Sequence, residues 1–130
     1  MKKFFTVAVV IGALVLLTSA DNKPQVMTKE NGTYIVNTTT IANDVIGYAG
    51  PTPLKVYIKK NQIEKIEYLP NQETPKYWNA VKKHFQDTWN GKKVKEAKTM
   101  QVDGRTGATF SSNALKENVK RAIEYYEKNK

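Results

Sequence analysis

The segment Leu54 to Lys59 alternates Leu54, Val56 and Ile58 with Lys55, Tyr57 and Lys59, the period-two pattern of a strand with one wet face. Lys60-Asn61 follows as a turn, and Gln62 to Leu69 returns as a second strand, so the middle of the chain is a β-hairpin. Ile63 is out of phase with Ile66 and Tyr68. Either a bulge in the hairpin repairs that parity or the returning strand is short and starts late. An isolated hairpin is marginal in water, so its apolar face needs partners. That need organises the rest of the sequence.

Two amphipathic helices are available to cover it. Thr74-Pro75 reads as an N-cap with proline at the first helical position, and Trp78, Val81, Phe85 and Trp89 then recur on one side up to Asn90-Gly91. The second helix runs from about Ser112 to Glu127 with Leu115, Val119, Ala122, Ile123 and Tyr126 as its stripe, and Glu117 with Arg121 as an i, i+4 pair. Thr33 to Thr40 is β-rich, Ile41 to Ile46 is a weaker strand candidate, and Ala97 to Val102 is expected to be a strand. Gly47-Tyr48-Ala49-Gly50-Pro51-Thr52-Pro53 breaks regular structure. The pattern predicts an α+β domain, a small antiparallel sheet with a β-hairpin packed against two helices.

The chain has 130 residues, enough for one domain with a modest core. Lys2 and Lys3, the uncharged apolar run Phe4 to Leu17 and Thr18-Ser19-Ala20 have the layout of a signal peptide over residues 1–20. The run is shorter than the roughly 20 residues of a membrane span, which favours cleavage over a retained anchor. Residues 21–32 read as a polar linker, leaving a domain over 33–130. The chain has no cysteine, which excludes disulfides, iron–sulfur clusters and thiolate zinc sites. The net charge is +9; taking Lys2 and Lys3 from the 21 basic residues leaves 19 against 12 acidic ones, or +7. Export and the scatter of the lysines argue against nucleic acid. They fit a solvated surface or attraction to anionic lipid, envelope polymers or an acidic redox partner.

Conventional catalysis finds little support. His84 is the only histidine, Ser111 and Ser112 have no base near them in sequence, and no His, Asp and Glu cluster has ligand spacing. The run Asp103-Gly104-Arg105-Thr106-Gly107-Ala108-Thr109-Phe110-Ser111-Ser112 is more informative: a short hydroxyl-bearing loop leading into a helix. A helix start carries N–H groups without partners and the positive end of the macrodipole, a ready seat for phosphate. The same residues also describe an ordinary loop and cap.

With Asp103 placed ahead of Thr106, Gly107, Ala108 and Thr109, the run resembles the attachment motif of the covalent FMN-binding domain family, which includes flavin-carrying domains of sodium-pumping NADH:quinone oxidoreductase and the Rnf complex. Gly47 to Leu54 resembles that family's Gly-aromatic-x-Gly-Pro loop, and Glu73-Thr74-Pro75 its Glu-Thr-Pro segment; all three occur in the family's order. The resemblance spans about Asp44 to Tyr126. It implies FMN joined by a phosphoester to Thr109, Gly107 and Ala108 keeping the hydroxyl accessible, and Ser111 and Ser112 receiving phosphate oxygens. It further implies Gly50 and Pro51 close to a ring stacked on Tyr48, and Glu73 and Thr74 bonded to the ring's polar edge; positive charge near such a ring should favour its anionic reduced form and raise its potential. Asp103 matches the acidic position recognised by a flavin transferase, which would move FMN from FAD. Longer members carry glycine after the Glu-Thr-Pro proline, where this chain has Lys76. The implied protein is an exported electron carrier serving separate redox proteins or a membrane redox complex. The competing readings are a non-redox module binding an anionic ligand or envelope polymer, and a small enzyme with dissociable FMN.

Overall fold

A computed structural model describes residues 25–130; the expected signal peptide and the start of the expected linker lie outside them. Strands β1 (Met27–Glu30), β2 (Thr33–Asn37), β3 (Leu54–Lys59) and β4 (Gln62–Tyr68) form one antiparallel sheet in the order β1-β2-β3-β4. Helices α1 (Pro75–His84), α2 (Val94–Thr99) and α3 (Thr109–Asn129) follow. The expected α+β class stands, with a third helix added. Among the described residues, no helix is long and apolar enough to cross a membrane.

The hairpin forms as its alternation dictates. Leu54, Val56 and Ile58 are fully buried, together with Val36 of β2. Tyr57 pairs with Lys65 and Ile58 with Ile63, so Glu64 is the extra residue of a bulge. The bulge brings Ile63 onto the face it would otherwise miss. At the β3–β4 turn, Asn61 Oδ1 accepts from the Tyr126 hydroxyl at 2.5 Å and from Lys130 Nζ at 3.3 Å, tying the turn to the end of α3.

Four sequence expectations change. Met27–Glu30 is an edge strand within the expected linker, joined to β2 by Asn31 and Gly32 at φ 52° and 83°; Asn-Gly with two positive φ values is the favoured hairpin turn. Ile41 to Ile46 is not a strand; it coils back, with the Ala42 N–H bonded to Thr38 O at 2.9 Å and the Val45 N–H to Ala42 O at 3.1 Å. The expected strand Ala97 to Val102 is replaced by α2. The Ile63 N–H already donates to Lys92 O, and the Gly91 N–H to Ile63 O, so the chain meets β4 only at residues 91–93. Beyond them Val94 and Ala97 lie one turn apart against the core, among Lys and Glu residues that favour helix. Finally, α1 stops at His84, and Trp89 reaches the core from the turns beyond it, stacked on Phe85 with ring centroids 5.4 Å apart.

The coil at residues 41–46 is clamped to α3. Arg121 donates to both Asp44 carboxylate oxygens, at 2.5 and 3.1 Å, and also to Ile41 O at 3.1 Å and Glu117 at 3.2 Å. The Arg121 hydrogen bond holds the Asp44 carboxyl below its ordinary 3.8. A lowered folded-state value means that this stabilisation is complete above about pH 4 and disappears as pH falls through the folded-state value. Asp44→Asn is therefore expected to narrow the stability difference between pH 6 and pH 2.5 relative to the wild type, read by urea unfolding at each pH. Because the carboxylate is exposed, the effect is modest and shrinks in high salt.

Candidate functional site

The three segments singled out in the sequence converge beside the start of α3. The loop after Ile46 closes through the Gly47 N–H, which donates to Gly50 O at 2.8 Å, and the isolated bridge between Ile46 and Pro51. Glu73 and Thr74 come from the entry to α1. Gly107 to Ser111 come from the last loop and the first turn of α3. Between them lies a cleft of about 580 Å³ lined by Tyr48, Glu73, Thr74, Tyr77, Gly107, Ala108, Thr109, Phe110 and Ser111. That volume falls in the range of roughly 300–1,000 Å³ typical of small-molecule sites.

Thr109 is the first residue of α3 and is exposed. Ala108 occupies the cap position, and no side chain among the described residues caps the helix. The N–H groups that begin this 21-residue helix thus face the cleft end without a side-chain acceptor, and its first turn carries no acid. Gly107 holds φ 84°, a left-handed conformation, and a Cβ there would meet no atom within 4 Å. The loop turns sharply and leaves the adjoining hydroxyl open.

Three large aromatic side chains stand in solvent around the cleft: Tyr48 at 76 % exposure, Phe110 at 68 % and Tyr77 at 58 %. Exposed aromatics gathered at one cleft suit a planar apolar ligand. Tyr77 and Phe110 were missing from the residues expected in the site. Their signal was legible: both are bulky residues out of phase with the buried stripes of their helices. Trp78, expected in the core, is buried and meets Tyr68 edge to face at 5.9 Å.

Other expected residues sit differently. Ser112 is fully buried, and its Oγ accepts from the Arg105 N–H at 2.9 Å, so its hydroxyl braces the loop instead of receiving phosphate. Glu73 is 7 % exposed and accepts from the Tyr48 N–H at 3.1 Å, the Ala49 N–H at 2.5 Å and the Ser111 hydroxyl. Its oxygens, and the Ser111 hydroxyl, are therefore engaged within the protein and not held out to a ring edge. Thr74 is exposed and makes no side-chain cap bond, leaving its hydroxyl at the cleft without that role. Gly50 and Pro51 shape the Tyr48 loop from outside the cleft lining. Asp103 and Thr106 are exposed and outside the lining, and Asp103 O lies 3.0 Å from His84 Nε2. Among the lining residues Glu73 alone is charged. No lysine or arginine is among the lining residues, but Lys76 Nζ stands 5.9 Å from the centroid of the Tyr77 ring, so positive charge sits at the cleft's edge.

Gly47 also lies close against Glu73. A Cβ at Gly47 would sit 2.7 Å from Glu73 Oε1 and 3.1 Å from Thr52 Cγ2. Gly47→Ala is expected to cost about 1–2 kcal/mol through this overpacking, read as a lower urea midpoint at unchanged slope.

An open hydroxyl at an uncapped helix start, next to an aromatic cleft, defines a site for a planar cofactor bearing a phosphate. The family model of the FMN-binding domain matches residues 47–124, which takes in every residue that lines the cleft. The chain belongs to the FMN-binding domain family.

Proposed function

We propose that this protein is an exported electron carrier whose FMN is held covalently, by a phosphoester to the Thr109 hydroxyl. The observation that carries the reading is the position of Thr109: exposed, first in α3, and on the wall of the aromatic cleft. In the attachment reaction a separate flavin transferase acts on FAD. The Thr109 oxygen bonds to the flavin-side phosphorus, the pyrophosphate P–O bond breaks, AMP leaves, and the hydroxyl proton passes to a base of the transferase. Asp103, exposed on the same loop, is the group offered to that enzyme.

Once bound, the flavin supplies the redox chemistry, and the chain supplies attachment, orientation and field. The N–H groups at the start of α3 would hold phosphate oxygens. Tyr48, Tyr77 and Phe110 would cover apolar faces of the ring and exclude water, and the Thr74 hydroxyl is placed to bond a polar edge. Glu73 and Lys76, the one bonded behind the Tyr48 loop and the other over the Tyr77 ring, would set the field at the ring from opposite signs. Export is supported by the N-terminal sequence pattern; beyond the cell membrane, electrons must come from and go to separate redox proteins or a membrane complex.

The test is to express the chain with a flavin transferase, denature it and filter. Yellow colour retained with the chain is expected. Colour that passes the filter would mean dissociable FMN and would end the covalent reading.

A further inference from the structure

Glu73 joins two elements that are far apart in sequence. Two of its donors, the Tyr48 and Ala49 N–H groups, belong to the loop that carries one aromatic wall of the cleft. The third, the Ser111 hydroxyl, lies two residues after Thr109 on the facing side. Glu73 is itself held by its own N–H, which donates to Asn71 Oδ1 at 2.9 Å. Hydrogen bonds to a buried carboxylate are roughly twice as strong as neutral ones, and stranding any of the donors carries a desolvation penalty. The carboxylate therefore makes a stiff joint across the cleft.

We propose that Glu73 is a positioning residue for flavin loading: it latches the Tyr48 loop to the first turn of α3, so that the ring's wall and the Thr109 hydroxyl are presented together. The proposal rests on the covalent-flavin reading and extends it to a group acting through its neighbours. With the latch broken, the loop and the helical turn move independently, and the arrangement that accepts flavin is populated for less of the time.

The test uses the full chain in two variants. Glu73→Gln keeps the size and replaces the charged acceptor with an amide; Ser111→Ala removes one donor and leaves the carboxylate in place. In the flavin-free protein, amide hydrogen exchange at Tyr48 and Ala49 is expected to quicken at least tenfold in both variants, with the Val56 and Ile58 amides unchanged. With FAD and a flavin transferase, kcat for loading is expected to fall at least fivefold in both, while KM for the protein stays within twofold because Asp103 and its loop are intact. Ser111→Ala is the sharper arm, because the change is made on the helix and read on the opposite loop. Wild-type exchange at Tyr48 and Ala49 in Ser111→Ala overturns the proposal, as does wild-type kcat in both variants or a loss confined to KM. Failure of the underlying reading looks different: there the unsubstituted chain accepts no flavin, whatever the exchange rates.

Discussion

Thr109→Ala is expected to abolish covalent flavin completely while leaving the fold intact. The side chain is exposed at the first position of α3 and makes no capping bond there. Alanine is a good helix former, so the change in stability should stay within about 0.5 kcal/mol. Loss of flavin without loss of stability separates a missing acceptor oxygen from a damaged site. Thr109→Ser keeps a hydroxyl and should load, more slowly because the unbranched side chain is less restricted in rotamer. Thr106→Ala should load normally, since Thr106 lies outside the cleft lining. Intact mass after co-expression with a transferase, paired with a thermal melt, checks all three.

The largest effect on stability is expected from Asn118→Ala. Asn118 is fully buried in the middle of α3. Its Oδ1 accepts from the Thr38 hydroxyl at 2.5 Å, and its Nδ2 donates to Ala114 O at 2.9 Å and toward Thr52 Oγ1 at 3.4 Å. Thr38 in turn accepts from the Leu54 N–H at 2.9 Å. The amide thus fastens α3 to the start of β3 and to the segment leaving the Tyr48 loop. Truncation leaves a cavity and weakens the bonding of two buried hydroxyls, a cost of about 3 kcal/mol. For a domain of this size that corresponds to a fall in Tm of roughly 12–20 °C. A fall of only a few degrees would mean that the network is dispensable.

The parts legible in the sequence were those with a repeating physical signal. The hairpin followed from Leu54, Val56 and Ile58; the parity of Ile63 left a bulge or a late strand start, and the paired register decides for the bulge. The cores of α1 and α3 followed from apolar stripes. The edge strand β1 is hard to read because Met27–Glu30 is short and half exposed, with little alternation, and Asn31-Gly32 after it is equally the mark of a loop. The six residues of α2 are too few to separate helical from strand periodicity, so Val94 and Ala97 fit either until the partners of β4 are known.

The site divided in the same way. Its three segments were legible because local motifs carry them, and the family match over residues 47–124 spans all three. The roles of Glu73, Ser112 and Asn118 were not. Each depends on contacts between residues distant in sequence, such as Ser111 with Glu73 across 38 positions and Thr38 with Asn118 across 80. A glutamate before a helix looks like a ligand contact when read locally; only the fold reveals the two N–H groups and the hydroxyl already bonded to it. Of the aromatic rim, Tyr48 is marked by its loop, whereas Tyr77 and Phe110 carry no local motif.

Tryptic mapping of the chain after co-expression with a flavin transferase tests the central claim most directly. Cleavage after Arg105 and Lys116 releases one peptide containing Thr106, Thr109, Ser111 and Ser112. Fragmentation should place the mass of one FMN, less water, on Thr109. An unmodified peptide, or FMN on any other hydroxyl within it, would contradict the account.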